Sequence, residues 1–178
     1  MMNNRIVAIL HNDSTMAENT KHIVKIMLEN SVASQVYVFT EKPDTSFNIA
    51  NGTQICSNVN WPSTCTTVPQ IRNWINRFFR TNNFAGKLHV LEDNTEILKI
   101  PTGFITDLEN MMDAFEYDVW FSTTCDNCNY VYSKYNPRLA VMLDKVEYFK
   151  FNLGEKLVFT SHSNTQWIAY DFSRATDD

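Results

Sequence analysis

Short apolar runs alternate with amphipathic stretches along the first two thirds of the chain. Arg5 to Leu10 (RIVAIL) is a β-branched run of the kind buried on both faces of a sheet. It ends in His11, Asn12 and Asp13. Thereafter Met16, Thr20, Ile23, Ile26 and Met27 recur at three- and four-residue spacing, which predicts an amphipathic helix capped by Asp13 or Ser14. Gln35 to Thr40 (QVYVFT) is a second β-rich run, so strand, helix and strand form a βαβ unit and a parallel start to the sheet.

Residues 43–68 are polar, rich in Thr, Ser and Asn, and without a clear period; only 53–59 reads as a short strand. A helix follows from Pro69, whose missing N–H costs nothing in a first turn. Ile71, Trp74, Ile75, Phe78 and Phe79 form its apolar stripe, and Arg72, Arg77 and Arg80 read as its solvated face. Leu88, Val90 and Leu91 then mark a buried strand that runs into an acidic and amide packet, Glu92, Asp93, Asn94 and Glu96. Residues 102–114 are helical in pattern, with Leu108 and Met112 inward and Asp107, Glu109 and Asp113 outward. Asp118 to Thr123 (DVWFST) is a fourth buried strand.

Beyond residue 124 the pattern loosens. Lys145 to Phe151 (KVEYFKF) alternates like an antiparallel strand, Lys156 to Thr160 (KLVFT) is apolar, and Trp167 to Phe172 begins a last helix or strand. The expected fold is therefore α/β: a mainly parallel central sheet with flanking helices, Rossmann-like, and a small antiparallel addition near the carboxyl end. One domain over 1–178 is expected, with 1–123 as its ligand-binding half and 124–178 as an abbreviated second half.

Composition narrows the function. The 178 residues are 44% hydrophobic with a net charge of −5, an ordinary globular balance that argues against a nucleic-acid binder. No run approaches the roughly eighteen apolar residues of a membrane span, and the first residues lack a signal-peptide pattern. A soluble, cytoplasmic protein is expected.

Chemistry enters through what is missing as much as what is present. The chain has four glycines, with neither a G-x-G-x-x-G loop nor a P-loop, and the turn after the first strand has no glycine at all. A cradle of backbone amides for phosphate is thus not expected. A diphosphate is alternatively held through a hard divalent cation, and Glu92, Asp93, Asn94 and Glu96 are oxygen donors of the right kind. They stand at the carboxyl end of a strand, where open α/β sheets bind ligands. The competing reading makes Asp93 and Asn94 a turn.

The order RIVAIL, helix, QVYVFTE, helix, apolar strand, LEDN, helix, DVWFST resembles the nucleotide-sugar-binding half of a GT-A glycosyltransferase, over residues 5–123. The resemblance implies a nucleotide-sugar donor, an acceptor it does not name, and Mn²⁺ or Mg²⁺ held by an acidic motif that falls on Glu92, Asp93 and Asn94. Such a cation would neutralise the leaving diphosphate. It further implies that His11, Asn12 and Asp13 approach the base or ribose, that Glu41 or Asp44 holds the nucleoside, and that His162 completes the metal site. Asp126, Asp144 and Asp171 are the candidate bases. Asn94 departs from the usual carboxylate, and the short second half is consistent with a degenerate, inactive member that acts through protein contacts.

The cysteines offer another class. Cys125 and Cys128 form a C-x-x-C, and Cys56 and Cys65 would complete a four-thiolate zinc site, although their separation is wider than zinc ligands usually show. A redox module is the related alternative, and free thiols are the default.

Overall fold

In a computed structural model the chain is mixed α/β; the structure describes residues 5–29, 35–52, 54–95, 104–114, 119–121, 150–151, 167–173 and 175–176. In chain order these form β1 (Arg5–Leu10), α1 (Ala17–Glu29), β2 (Gln35–Thr40), β3 (Ala50–Asn51), β4 (Gln54–Asn60), α2 (Val68–Thr81), β5 (Lys87–Glu92), α3 (Phe104–Ala114), β6 (Val119–Phe121), β7 (Lys150–Phe151), β8 (Trp167–Asp171) and β9 (Ala175–Thr176). Single 3₁₀ turns at Ser14–Met16 and Thr45–Phe47 precede α1 and β3.

The main sheet has seven strands in the order β3-β4-β2-β1-β5-β8-β6. β4, β2, β1 and β5 are mutually parallel, with Val7 opposite Val36 on one side and His89 on the other. β8 runs antiparallel to both of its neighbours, β5 and β6, so β6 points the same way as the parallel block. The hairpin-like β3 closes one edge, and β7 pairs with β9 in a separate antiparallel ribbon.

Period-two alternation divides the core between the two faces of this sheet. Val7, Ile9, Val36, Val38 and Leu91 face α1 and α3, where Ile23, Met27, Leu108 and Met112 meet them. Ile6, Ala8, Leu10, Phe39, Leu88 and Val90 face α2, through Ile71, Ile75 and Phe79. α1 connects β1 to β2 on one face and α2 connects β4 to β5 on the other. That change of face is what right-handed crossovers require when the chain reverses direction along a sheet.

α2 is the best-specified helix. Thr67 and Gln70 make a reciprocal capping box, Thr67 Oγ1 accepting from Gln70 N at 3.3 Å and Gln70 Oε1 accepting from Thr67 N at 3.2 Å. Its end is set by Asn83 in the left-handed region (φ 62°), with Phe84 N donating to Phe79 O at 3.0 Å.

The short strand expected within the polar 43–68 stretch is β4, a full parallel partner of β2. Of the two forms left open for the segment from Trp167 the chain takes the strand, which lies between β5 and β6. One expectation needs correction. Arg72 and Glu109, read as solvated, are 3% and 9% exposed because each is buried in an ion pair. The expected strand at Lys156 to Thr160 lies outside the described residues.

Candidate functional site

Four parallel strands end on the same edge of the sheet, and the strand order reverses between β1 and β5. From β1 the chain moves out through β2 to β4, then returns to the other side of β1 as β5. Loops leaving two neighbouring strands in opposite directions open a crevice outside their carboxyl ends, the usual ligand position in open α/β sheets. The residues at that position here are His11–Asp13 after β1 and Asp93–Thr95 after β5.

Asp93 ties these two loops together. Its Oδ2 accepts from Asn12 N at 2.9 Å and from Asp13 N at 2.8 Å, and His11 Nδ1 lies 3.4 Å away. Asp93 N donates to Leu10 O at 3.1 Å, which extends the parallel ladder by one residue. Asn19, in the first turn of α1, donates Nδ2 to both Asp93 O (2.6 Å) and Thr95 O (3.0 Å). His11 is itself held by Thr20 Oγ1 at 2.8 Å and by an edge-to-face contact with Phe47, ring centroids 4.8 Å apart. Asp13 Oδ1 accepts from Thr15 N and Oγ1, and those bonds hold the exposed Asp13 carboxyl below its usual range.

A polar shelf continues the edge towards β2 and β4. Thr40 Oγ1 accepts from Asn58 Nδ2 and Asn60 Nδ2, both at 2.9 Å, and donates to Lys42 O at 2.6 Å. Asp44 N donates to Asn58 Oδ1, and the Asp44 carboxylate caps the 45–47 turn through Ser46, whose hydroxyl and amide lower its pKa, with a smaller contribution from His11. Glu41 is exposed beside it. His11, Asn12, Asp13 and Asp93 are thus gathered at one place, with Glu41 and Asp44 along the same edge.

The acidic packet does not act as a unit. Strand alternation sends Glu92 to the α2 face, where Oε2 sits 2.7 Å from Arg72, while Asp93 turns to the β1 loop. Burial pushes the Glu92 carboxyl up, with the Arg72 guanidinium working against that rise. Among the described residues no three His, Cys, Asp or Glu side chains converge on a cation position. Asn94 is exposed, and Glu96 and His162 lie outside the described residues, so the described donor set does not by itself fit Mn²⁺ or Mg²⁺.

Of the candidate bases, Asp171 is among the described residues. Asp171 is paired across from Lys87, at the end of β5 opposite to Asp93, and its Oδ2 is 3.3 Å from Lys87 Nζ. Asp126 and Asp144 lie outside the described residues. The cysteines are also divided: Cys56 is buried in the core on the α1 face, whereas Cys65 packs against the α2 face, so the sheet stands between them. Burial pushes the Cys56 thiol up to about 12, which opposes the thiolate that zinc requires. Cys125 and Cys128 lie outside the described residues.

Sequence patterns missed Asn19, Thr20, Phe47, Thr40, Asn58 and Asn60 as site residues. The polar alternation of Asn58 and Asn60 in QICSNVN was the available signal, and it makes sense only once β4 is known to pair with β2.

No protein-family profile matches the chain, and no curated protein matches it. A solved structure similar to it is a provisionally named nucleotide-diphospho-sugar transferase from Desulfovibrio desulfuricans G20. The two are 10% identical with a TM-score of 0.49 over 78% of this chain and 68% of the other, a likeness too slight to carry an argument. No helix among the described residues is long and apolar enough to cross a membrane.

Proposed function

We propose that this chain is a GT-A-like donor-binding domain that holds a nucleotide-diphosphate sugar in the crevice outside the carboxyl ends of β1, β2 and β5. The observation that carries the reading is the reversal of strand order between β1 and β5, with polar loops on both sides of the opening. The nucleoside is assigned to the shelf of Thr40, Asn58, Asn60, Glu41 and Asp44, and the diphosphate to the opening beside Asn94.

A cation on that diphosphate would rest on Asn94 and on groups outside the described residues, Glu96 and His162 among them. Glu92 is engaged by Arg72 and Asp93 by loop amides. No catalytic base is assigned, since Asp171 stands at the wrong end of the sheet. The engagement of both carboxylates favours a second reading, a domain of the same fold that binds donor without transferring sugar.

A thermal-shift panel of UDP-, GDP- and CDP-sugars, each with and without Mn²⁺, tests donor binding. A ligand at one hundred times its Kd stabilises the folded state by about 2.7 kcal/mol, so one nucleotide class should raise the Tm by several degrees. Absence of a shift with every donor would contradict the reading. Release of nucleoside diphosphate from the stabilising donor separates transfer or hydrolysis from binding alone.

A further inference from the structure

The Asp93 carboxylate occupies a position that an external anion takes in other α/β folds. Consecutive backbone N–H groups after a first strand, leading into a helix, form an anion-binding concavity supported by the partial positive charge of the helix start. In this chain the N–H groups of Asn12 and Asp13 converge on a single atom, Asp93 Oδ2, at 2.9 and 2.8 Å. Asp93 is 6% exposed, while Asn12 and Asp13 are exposed, so the two contacts are part-buried. Every other polar group of the residue's backbone is also used: the amide on Leu10 O and the carbonyl on Asn19 Nδ2. Asp93 is thus fixed on all sides, its carboxylate by the loop after β1 and its backbone by β1 and α1.

We propose that Asp93 is a built-in anion: it fills the amide cradle of the β1 loop, sets the shape of the crevice without a cation, and excludes phosphate from that cradle. Two anions cannot share two N–H donors, and a phosphate placed there would face the carboxylate within hydrogen-bonding distance. The charge of Asp93 is therefore spent on positioning the loop, and any diphosphate lies outside the cradle. Asp93 is a positioning residue. This inference concerns the crevice of the proposed donor site, but its test uses no nucleotide sugar, so its failure and the failure of the donor reading are distinguishable.

The test uses the full chain and two substitutions. Asp93→Gly removes the carboxylate and frees the two N–H groups. Inorganic phosphate should then raise the Tm of the variant by several degrees and leave the wild type unmoved, since a ligand specific to the folded state stabilises only the form that offers its site. Equal stabilisation of both proteins, or of neither, would overturn the proposal. Asp93→Asn covers the case in which the glycine variant does not fold. In amide-resolved hydrogen exchange, Asn12 and Asp13 should exchange at least about tenfold faster in Asp93→Asn than in wild type, the loss of a charge-assisted bond being worth about 1.4 kcal/mol or more. Unchanged exchange at both amides would contradict it. Finally, Mn²⁺ alone should show no saturable binding to the wild type that Asp93→Asn abolishes. Such binding would restore Asp93 as a metal ligand.

Discussion

Two buried carboxylates in this molecule are satisfied by opposite means. Glu109, on α3, meets side chains: Arg5 Nε and a terminal guanidinium nitrogen at 2.8 and 2.6 Å, and His89 Nε2 at 2.8 Å. Asp93, at the end of β5, meets mostly backbone: two loop amides and an approaching histidine. The partners of Glu109 sit on β1 and β5, rigid neighbours in the middle of the sheet. Those of Asp93 sit in the exposed loop after β1. A buried carboxylate braced by strands holds the fold together, whereas one braced by loop amides fixes the shape of a loop.

The Glu109 network also fixes a tautomer. Trp167 Nε1–H donates to His89 Nδ1 at 3.0 Å, so His89 Nδ1 is the acceptor and Nε2 carries the proton given to Glu109. The chain from Trp167 through His89 and Glu109 to Arg5 joins β8, β5, α3 and β1. Lys87 also reaches Asp113 at 2.8 Å and Asp171 at 3.3 Å, which ties β5 to α3 and β8 a second time. β8 owes its place in the interior of the sheet to these contacts as well as to its fully buried Trp167, Ala169 and Tyr170.

Breaking the Glu109 side of the comparison should give the largest effect. Glu109→Gln leaves a buried Arg5 without its counter-charge and should cost about 3–5 kcal/mol, read as a fall in the urea midpoint. Acid should act on the same group. Burial raises the Glu109 carboxyl, but the bonds from His89 and Arg5 outweigh it and bring the value down to about 2 from an ordinary 4.5. The depressed value means the stabilisation is complete above about pH 4.5 and disappears as pH falls towards 2. The gap corresponds to about 3 kcal/mol, so the urea midpoint of the wild type should drop over that window and that of Glu109→Gln should drop less.

Asp93→Ala should be milder, about 1–3 kcal/mol, because the two amides left behind lie beside a solvent-facing opening that water can enter. A loss larger than that of Glu109→Gln would reverse the assignment of fold-holding and loop-shaping roles. Thr67→Ala touches neither carboxylate. It removes the α2 cap and should cost about 1 kcal/mol, with no effect on the acid profile. Ile55→Ser, at an apolar side chain already 60% exposed, should stay within about 0.5 kcal/mol.

The parallel core was legible because RIVAIL, QVYVFT and KLHVLE are apolar on both faces, a pattern with few structural outcomes. β4 was legible as a short strand at 53–59 but not as a member of that core, since QICSNVN buries Cys56 on one face and leaves Ser57 exposed on the other, so it lacks a doubly apolar run. The place of β8 depends on pairing with β5, some eighty residues earlier, and local periodicity holds no record of that. Helical periodicity likewise put Arg72 and Glu109 at polar positions, correctly, but the period cannot distinguish a solvated charge from a buried pair. At the candidate site, the sequence singled out Asp93, Asn94 and the HND turn, of which Asp93 and the turn are bonded to each other. It could not show that Glu92 and Asp93 face opposite sides of the sheet, because that follows from the register and the strand's last residue.

The most direct test of the crevice assignment is an amide-resolved NMR titration of the full chain with the nucleotide sugar that gives the largest thermal shift. The expected result is a set of saturable shifts confined to 11–13, 40–44, 58–60 and 93–95, the loops and strand ends around the β1–β5 reversal. Shifts centred instead on the shallow pocket of Cys65, Asn73, Trp74 and Arg77 on the α2 face, or no saturable shift anywhere, would contradict it.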